Sequence, residues 1–297
     1  MDFSIEGSIS ANCHGWQNNA GPIGNYISDL VIDRGNGAEK AEGMIAQAVI
    51  GGWGLCGKIL GASYKTTKNL NVASLVSVGW AVNTVGRDFS GTDMLNIHLD
   101  SKWERAAINQ HYYGDRVVVS QLKDSVSWWA PILVRHFPWL RWWAQRNMNL
   151  HKITSRNELL YTSVRHFTWP GQELFELFVP TRNAAEFCES AQPLIKKIKT
   201  FNTTVRDIQP DQSSLMPYAR EPTRGFVVLA HQADQNAAVV RDMIDLAISY
   251  GGSFYLPYNR YATVGQFRTA YGNWEQFREF QVSETEWSRK YLGKMAE

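Results

Sequence analysis

The sequence predicts an α+β fold whose C-terminal half runs in the order β-α-β-β-α-β. Three observations carry that prediction. Phe175, Leu177 and Val179 alternate in a segment that ends at Pro180, the two-residue period of a strand with one apolar face. Ala184, Phe187, Ala191, Leu194 and Ile198 recur at helical spacing, as do Val239, Met243, Leu246, Ala247 and Tyr250, each set lining one helix face. Residues 204–209, 225–231 and 253–258 read as the remaining strands, and the order is that of a split ferredoxin-like unit.

The other elements follow along the chain. Gly7, Gly15, Gly21-Pro22 and Gly24 punctuate a turn-rich start. Residues 26–33 read as a strand and Gly35-Asn36-Gly37 as a simple turn. Over 38–49, Ala41, Met44, Ile45, Ala48 and Val49 fall on one helical face. The glycine cluster GGWGLCG (51–57) interrupts, and 58–66 and 72–82 read as strands. Residues 83–174 show no clear period. In the C-terminal unit, Thr181 is placed to cap the first helix and Pro193 to bend it. Gly251 sits where a left-handed C-cap belongs. Thr263 with Gln266, and Asn273 with Gln276, have capping-residue spacing for two short closing helices.

Hydrophobic residues make up 44% of the chain and charged ones 20%, which is an ordinary globular composition. Thirty basic against 28 acidic side chains leave a net charge of +2, with no electrostatic footprint for nucleic acid. Cys13, Cys56 and Cys188 stand far apart and match neither zinc spacing nor a disulfide framework, so reduced thiols and no metal are expected. No apolar run is long enough to span a bilayer, and a cytoplasmic location is expected. Five of the 12 Trp lie from Trp128 to Trp143, with Arg135, His136, Arg141 and Arg146 among or just after them. Such a stretch suits peripheral contact with a membrane interface, and it equally suits packing on its own domain or over an active site. Pro131 and Pro138 weigh against one smooth amphipathic helix.

Glycine clusters say only that a backbone comes close to something, but two stretches read together say more. Residues 7–24, GSISANCHGWQNNAGPIG, and 49–60, VIGGWGLCGKIL, resemble the segments of vanillyl-alcohol-oxidase-type (PCMH-type) flavoproteins that run along FAD. The strands FELFVP (175–180) and GGSFYLPY (251–258), with Ser155-Arg156-Asn157-Glu158 before them, resemble the substrate domain of sugar and aldonolactone oxidases and of decaprenylphosphoryl-ribose oxidase. The resemblance covers 1–82 and about 154–291. It implies three parts: the second half of an FAD-binding domain (1–82), a divergent Trp-rich insert (83–153) and a substrate or cap domain (154–297).

As the resemblance implies, Gly7, Ser8, Ile9, Asn12, His14, Gly15, Gly51, Gly52, Gly54, Leu55, Gly57 and Ile59 would line FAD. Close backbone N–H donors suit a pyrophosphate, and glycine permits that approach. The family's Glu-x-Arg pair survives only as Arg206, and His231 falls where its His would stand. Tyr258 replaces its Lys, Tyr255 matches an aromatic position, and Glu176 matches a polar residue over the flavin. From the residues themselves, Arg206 suits a surface ion pair as well as an anion contact. His231 suits a satisfied place in the sheet as well as proton transfer, and Glu176 suits a solvated strand position.

Two departures qualify the resemblance. Glu6-Gly7 stands where the family has paired glycines, placing a carboxylate near the pyrophosphate. The family's first subdomain has no counterpart before Met1, so a truncated or split product is expected. The implied activity is oxidation of an alcohol on a sugar-like or lipid-linked substrate, by hydride transfer to flavin N5. Oxygen or a membrane carrier would take the electrons. The alternative is a catalytically incomplete subunit that needs a partner chain to bind FAD.

Overall fold

The computed structural model of the chain describes residues 4–18, 20–66, 71–113, 152–155, 171–232, 236–258 and 261–293. The stretch from Trp128 to Trp143 and residues 156–158 lie outside these. Among the described residues the architecture is mixed α/β with two antiparallel sheets.

The smaller sheet has the order β2-β1-β3, from β1 (Ile27–Asp33), β2 (Ala38–Lys40) and β3 (Lys58–Tyr64). Gly35 and Gly37, at φ +102° and +94°, make the hairpin turn, and both donate to Asp33 Oδ1, at 2.7 and 3.1 Å. Helix α1 (Ile5–Ser10) precedes it, capped by Ser4 Oγ, which accepts from Gly7 N–H at 3.0 Å. The expected helix over 38–49 is a helix only from Gly43: α2 spans Gly43–Val49, while 38–40 pair with β1. The left-handed Gly43, at φ +55°, breaks helical continuity with the residues before it.

The larger sheet has the order β11-β8-β10-β9-β5-β6-β4-β7. Its strands are β4 (Asn71–Trp80), β5 (Met94–Leu99), β6 (Arg105–Tyr113), β7 (Lys152–Ser155), β8 (Gln172–Pro180), β9 (Thr200–Ile208), β10 (Thr223–His231) and β11 (Ser253–Phe254). Helix α3 (Ala81–Val85) follows β4, α4 (Ala184–Ile195) follows β8, and α5 (Asn236–Ser249) follows β10. The β-α-β-β-α-β order is therefore present, and strands from all three sequence regions meet in one sheet.

One face of that sheet is apolar and helix-covered. Leu177, Phe226, Val205 and Ile97 are fully buried there with Phe187, Ala191, Met243 and Ala247 of the helices. Phe187 meets Phe226 edge-on at 5.0 Å. Trp103 stacks on Phe226 at 5.2 Å and donates its indole N–H to Thr203 Oγ1 at 3.0 Å. Each buried Leu, Ile, Val, Met or Phe here contributes about 1.5–3 kcal/mol through removal from water.

Several ends differ from the sequence reading. Thr181 lies in a 3-10 turn (Thr181–Asn183) before α4, and Asn183 at the N-cap makes no side-chain cap bond; its Nδ2 donates to Tyr250 O at 2.9 Å. Pro193 does lie inside α4. The expected strand over 253–258 pairs only at Ser253 and Phe254, then turns into a 3-10 segment (Leu256–Tyr258). Pro257 has no N–H to extend a ladder. Thr263 and Gln266 form the expected capping box on α6 (Val264–Ala270). Asn273 makes no side-chain cap bond on α7 (Trp274–Glu279); its Nδ2 donates to Leu215 O. A second box, Thr285 with Ser288 on α8 (Glu286–Tyr291), was not anticipated. No described helix is long and apolar enough to cross a membrane.

Two predictions follow from this packing. A Cβ on Gly252 would lie 2.0 Å from Phe178 O and 2.8 Å from Ala247 O, both backbone. Gly252→Ala should therefore lose roughly 1–3 kcal/mol in chemical denaturation. Gly91→Ala, with nothing within 4 Å, serves as the control that stays near wild type. His111 of β6 is 5% exposed and stacks on Trp16, with ring centroids 6.4 Å apart, and burial pushes its pKa down to about 4. The unfolded imidazole takes a proton below about pH 6.5 and the folded one does not. Stability should therefore fall with pH from there to about pH 4, by about 3 kcal/mol in all. Thermal melts of His111→Phe should lack that component of the slope; an unchanged slope contradicts the assignment.

Candidate active site

The second face of the large sheet is polar. Glu176 and Phe178 of β8 lie on it, with Gly225 of β10, Arg206 and Thr204 of β9, and His98 and Asn96 of β5. All follow from strand alternation and register. Glu176 is 2% exposed, so it is not the solvated strand residue that alternation alone allowed.

The ladder between β5 and β9 covers only Ile97↔Val205, His98↔Thr204 and Leu99↔Thr203. Past Ile97 the two strands part and the N-terminal segment enters the opening. Leu95 N–H donates to Trp16 O at 2.9 Å, and Gln17 bridges Met94. His14 lies two residues before Trp16 and reaches Glu176, with Nε2 2.7 Å from Oε1. Its ring lies among Phe178, Tyr218 and Tyr255, at centroid distances of 5.7, 6.0 and 6.2 Å.

Asn12 sets this course. It adopts φ +47°, a left-handed conformation that asparagine tolerates better than most residues. Its Nδ2 donates to Asp211 Oδ2 at 2.9 Å, and its Oδ1 accepts from Gly24 N–H at 2.9 Å. Asp211 also accepts from the backbone and hydroxyl groups of Ser213 and Ser214. Tyr218 and Tyr255 donate their hydroxyls to Asn12 O and Ala11 O, at 2.8 and 2.7 Å. Gly225 makes room for the acid, because a Cβ there would lie 3.2 Å from Glu176 Oε1.

Three enclosed polar atoms bound the opening without a hydrogen-bond partner: His14 Nδ1, Arg206 Nε and Asn96 Oδ1. Arg206 is half-buried; burial pulls its pKa down, opposed first by the Glu176 carboxylate. Burial, reinforced by Glu176, pushes the Tyr258 phenol up to about 12. Burial also holds Tyr218 and Tyr255 well above the usual phenol range, and raises the Cys13 thiol. At neutral pH these phenols are donors rather than anions.

Of the sequence-predicted residues, His14, Glu176, Arg206, Tyr255 and Tyr258 come together here. His231 does not join them. It sits six residues beyond Gly225 along β10, roughly 20 Å away at strand rise, with its ring stacked on Phe201 at 3.9 Å. The two glycine stretches do meet: Gly51 N–H donates to Ile9 O and Trp53 N–H to Ser10 O, both at 3.0 Å. Their donors, however, serve the chain itself. Gly52 and Leu55 N–H are also bonded internally, to Val49 O and Gly52 O, and Gly7 N–H goes to Ser4 Oγ. A Cβ on Gly51, Gly52 or Gly57 would meet Asn12, Ala48 or Arg34. Gly54, left-handed at φ +75°, faces open space. Gly15 is exposed, Ser8 half-exposed, and Ile9, Leu55 and Ile59 are buried in the core. Glu6 is exposed in the first turn of α1, where a carboxylate favours the helix dipole.

Sequence reasoning missed Asp211, Tyr218, Gly225 and Asn96. Only Asn96 had a local signal, the alternation of Asn96 and His98 with Leu95, Ile97 and Leu99.

No protein-family model matches the chain, and no curated protein matches it. Solved structures do. A point mutant of cholesterol oxidase from Brevibacterium sterolicum aligns at TM-score 0.63 and 10% identity, over 97% of this chain and 75% of that one. A second cholesterol oxidase structure from B. sterolicum aligns at TM-score 0.64 and 11% identity with the same coverage. At that identity the likeness is one of fold.

Proposed function

We propose that this chain is an FAD-linked oxidoreductase that oxidises an alcohol at the polar sheet face, with the domain arrangement of the vanillyl-alcohol-oxidase type. The observation that carries the reading is the His14–Glu176 pair, whose far nitrogen is enclosed and unpartnered. The fold likeness to enzymes named for acting on cholesterol supports it. The residues present fit a flavin. Arg206 Nε is an enclosed donor, and an isoalloxazine edge offers it acceptors. Arg206 would hold it, with Asn12 fixing the segment that carries His14.

When bound, the flavin supplies the hydride acceptor. The chain's own part is to take the hydroxyl proton. With His14 Nε2–H donating to Glu176, Nδ1 carries the free lone pair and accepts that proton. The Glu176 carboxylate holds this tautomer and stabilises the imidazolium that results. Arg206 balances the buried carboxylate while His14 is neutral. Tyr218 and Tyr255 act as positioning residues, because their hydroxyls hold Asn12 O and Ala11 O. Tyr258 stays protonated and can donate to a substrate oxygen. The substrate is a sugar-like or lipid-linked alcohol, and oxygen or a membrane carrier takes the electrons. Peripheral membrane contact through the stretch from Trp128 to Trp143 belongs to the same proposal.

The chain incubated with FAD and then desalted should retain the cofactor with flavin absorbance, and a panel of alcohols should bleach it. Glu176→Gln should retain FAD and bleach about 10²-fold more slowly. A chain that retains no FAD contradicts the cofactor assignment, and equal bleaching contradicts the role of the pair.

A further inference from the structure

Asn96 is 2% exposed, and its Oδ1 is enclosed with no hydrogen-bond partner. A buried amide oxygen without a donor destabilises the folded chain, and such groups are rare in native proteins. On one side, register sets Asn109 of β6 opposite Asn96. On the other side, the ladder to β9 stops one residue short, at Ile97↔Val205. Continuing the strands past that point brings Arg206 across the opening, and its Nε is also enclosed and unpartnered. Asn96 thus stands at the mouth of the fork into which His14 is threaded, on the face that carries Glu176. The fork presents an acceptor on one arm and a donor on the other, and neither satisfies the other.

We propose that Asn96 is a ligand-binding residue of this site, its Oδ1 accepting a hydrogen bond from a donor on the bound molecule. The inference rests on the proposed flavin-linked oxidation, within which two donors have the right chemistry: the imide N–H of the flavin and a hydroxyl of the alcohol. Both are polar hydrogens of molecules that meet this face.

Asn96→Leu tests it, since leucine has similar volume and no acceptor. Free of cofactor, the variant should melt several degrees above wild type, because the unsatisfied oxygen is gone. Binding should weaken about tenfold, the worth of one hydrogen bond to a well-placed donor. If the flavin imide is the donor, the Kd for FAD rises and the KM for the alcohol holds. If a substrate hydroxyl is the donor, FAD affinity holds and KM rises. Should the leucine variant fail to fold, Asn96→Ala carries the same affinity readout. A wild type that retains FAD, beside variants with unchanged FAD affinity and unchanged KM, overturns the role of Asn96 alone. A wild type that retains no FAD overturns the flavin reading on which it rests.

Discussion

The Asn12 side chain is held at both ends, by the Asp211 carboxylate and by the Gly24 N–H, and the rest of the site depends on that clamp. Asn12 ends α1 in a left-handed conformation, which turns the chain out of the helix and across the sheet. The two tyrosine hydroxyls then fix the carbonyls of residues 11 and 12. With two consecutive peptide groups so constrained, His14 is directed into the fork between β5 and β9. Asp211 follows β9, the strand that carries Arg206. One short loop therefore ties the cation of the sheet to the imidazole threaded against it.

Burying a carboxylate is expensive unless it is paired, and Glu176 has its compensation from three sources. His14 bonds it directly, Arg206 lends a nearby cation, and Gly225 leaves the space in which it lies. These depend on one another. A side chain at Gly225 would displace the acid, and without the acid His14 would have no fixed tautomer. Arg206 would then keep an uncompensated charge on a half-buried face. The helix-covered face can be rigid because it is only a packed core, and that rigidity lets the polar face hold a geometry.

Legibility in the sequence followed the range of the interactions. Strand and helix periods are local, so β8, β9, β10, α4 and α5 could be read from residue spacing, and their order announced the unit they form. The same alternation put Glu176 on the face away from Phe175 and Leu177. It could not say that this face is buried, because a second layer and solvent both accept a polar residue there. Asn12 and Asp211 lie 199 residues apart, and no local pattern joins them. The glycine stretch shows a subtler limit. Its glycines do permit close approach, but at Gly51, Gly52 and Gly57 the approaching atoms are the chain's own. The family resemblance gathered His14, Glu176, Arg206, Tyr255 and Tyr258, which meet, and also His231, which a strand's length keeps apart.

The central claim is that His14 is fixed with its proton on Nε2, toward Glu176, and its lone pair on Nδ1, toward the bound ligand. Long-range proton–nitrogen NMR on histidine-labelled protein reads that tautomer directly. The account predicts a proton on Nε2, and an Nδ1 resonance that shifts when FAD is added. A proton on Nδ1, or a resonance indifferent to FAD, would contradict it.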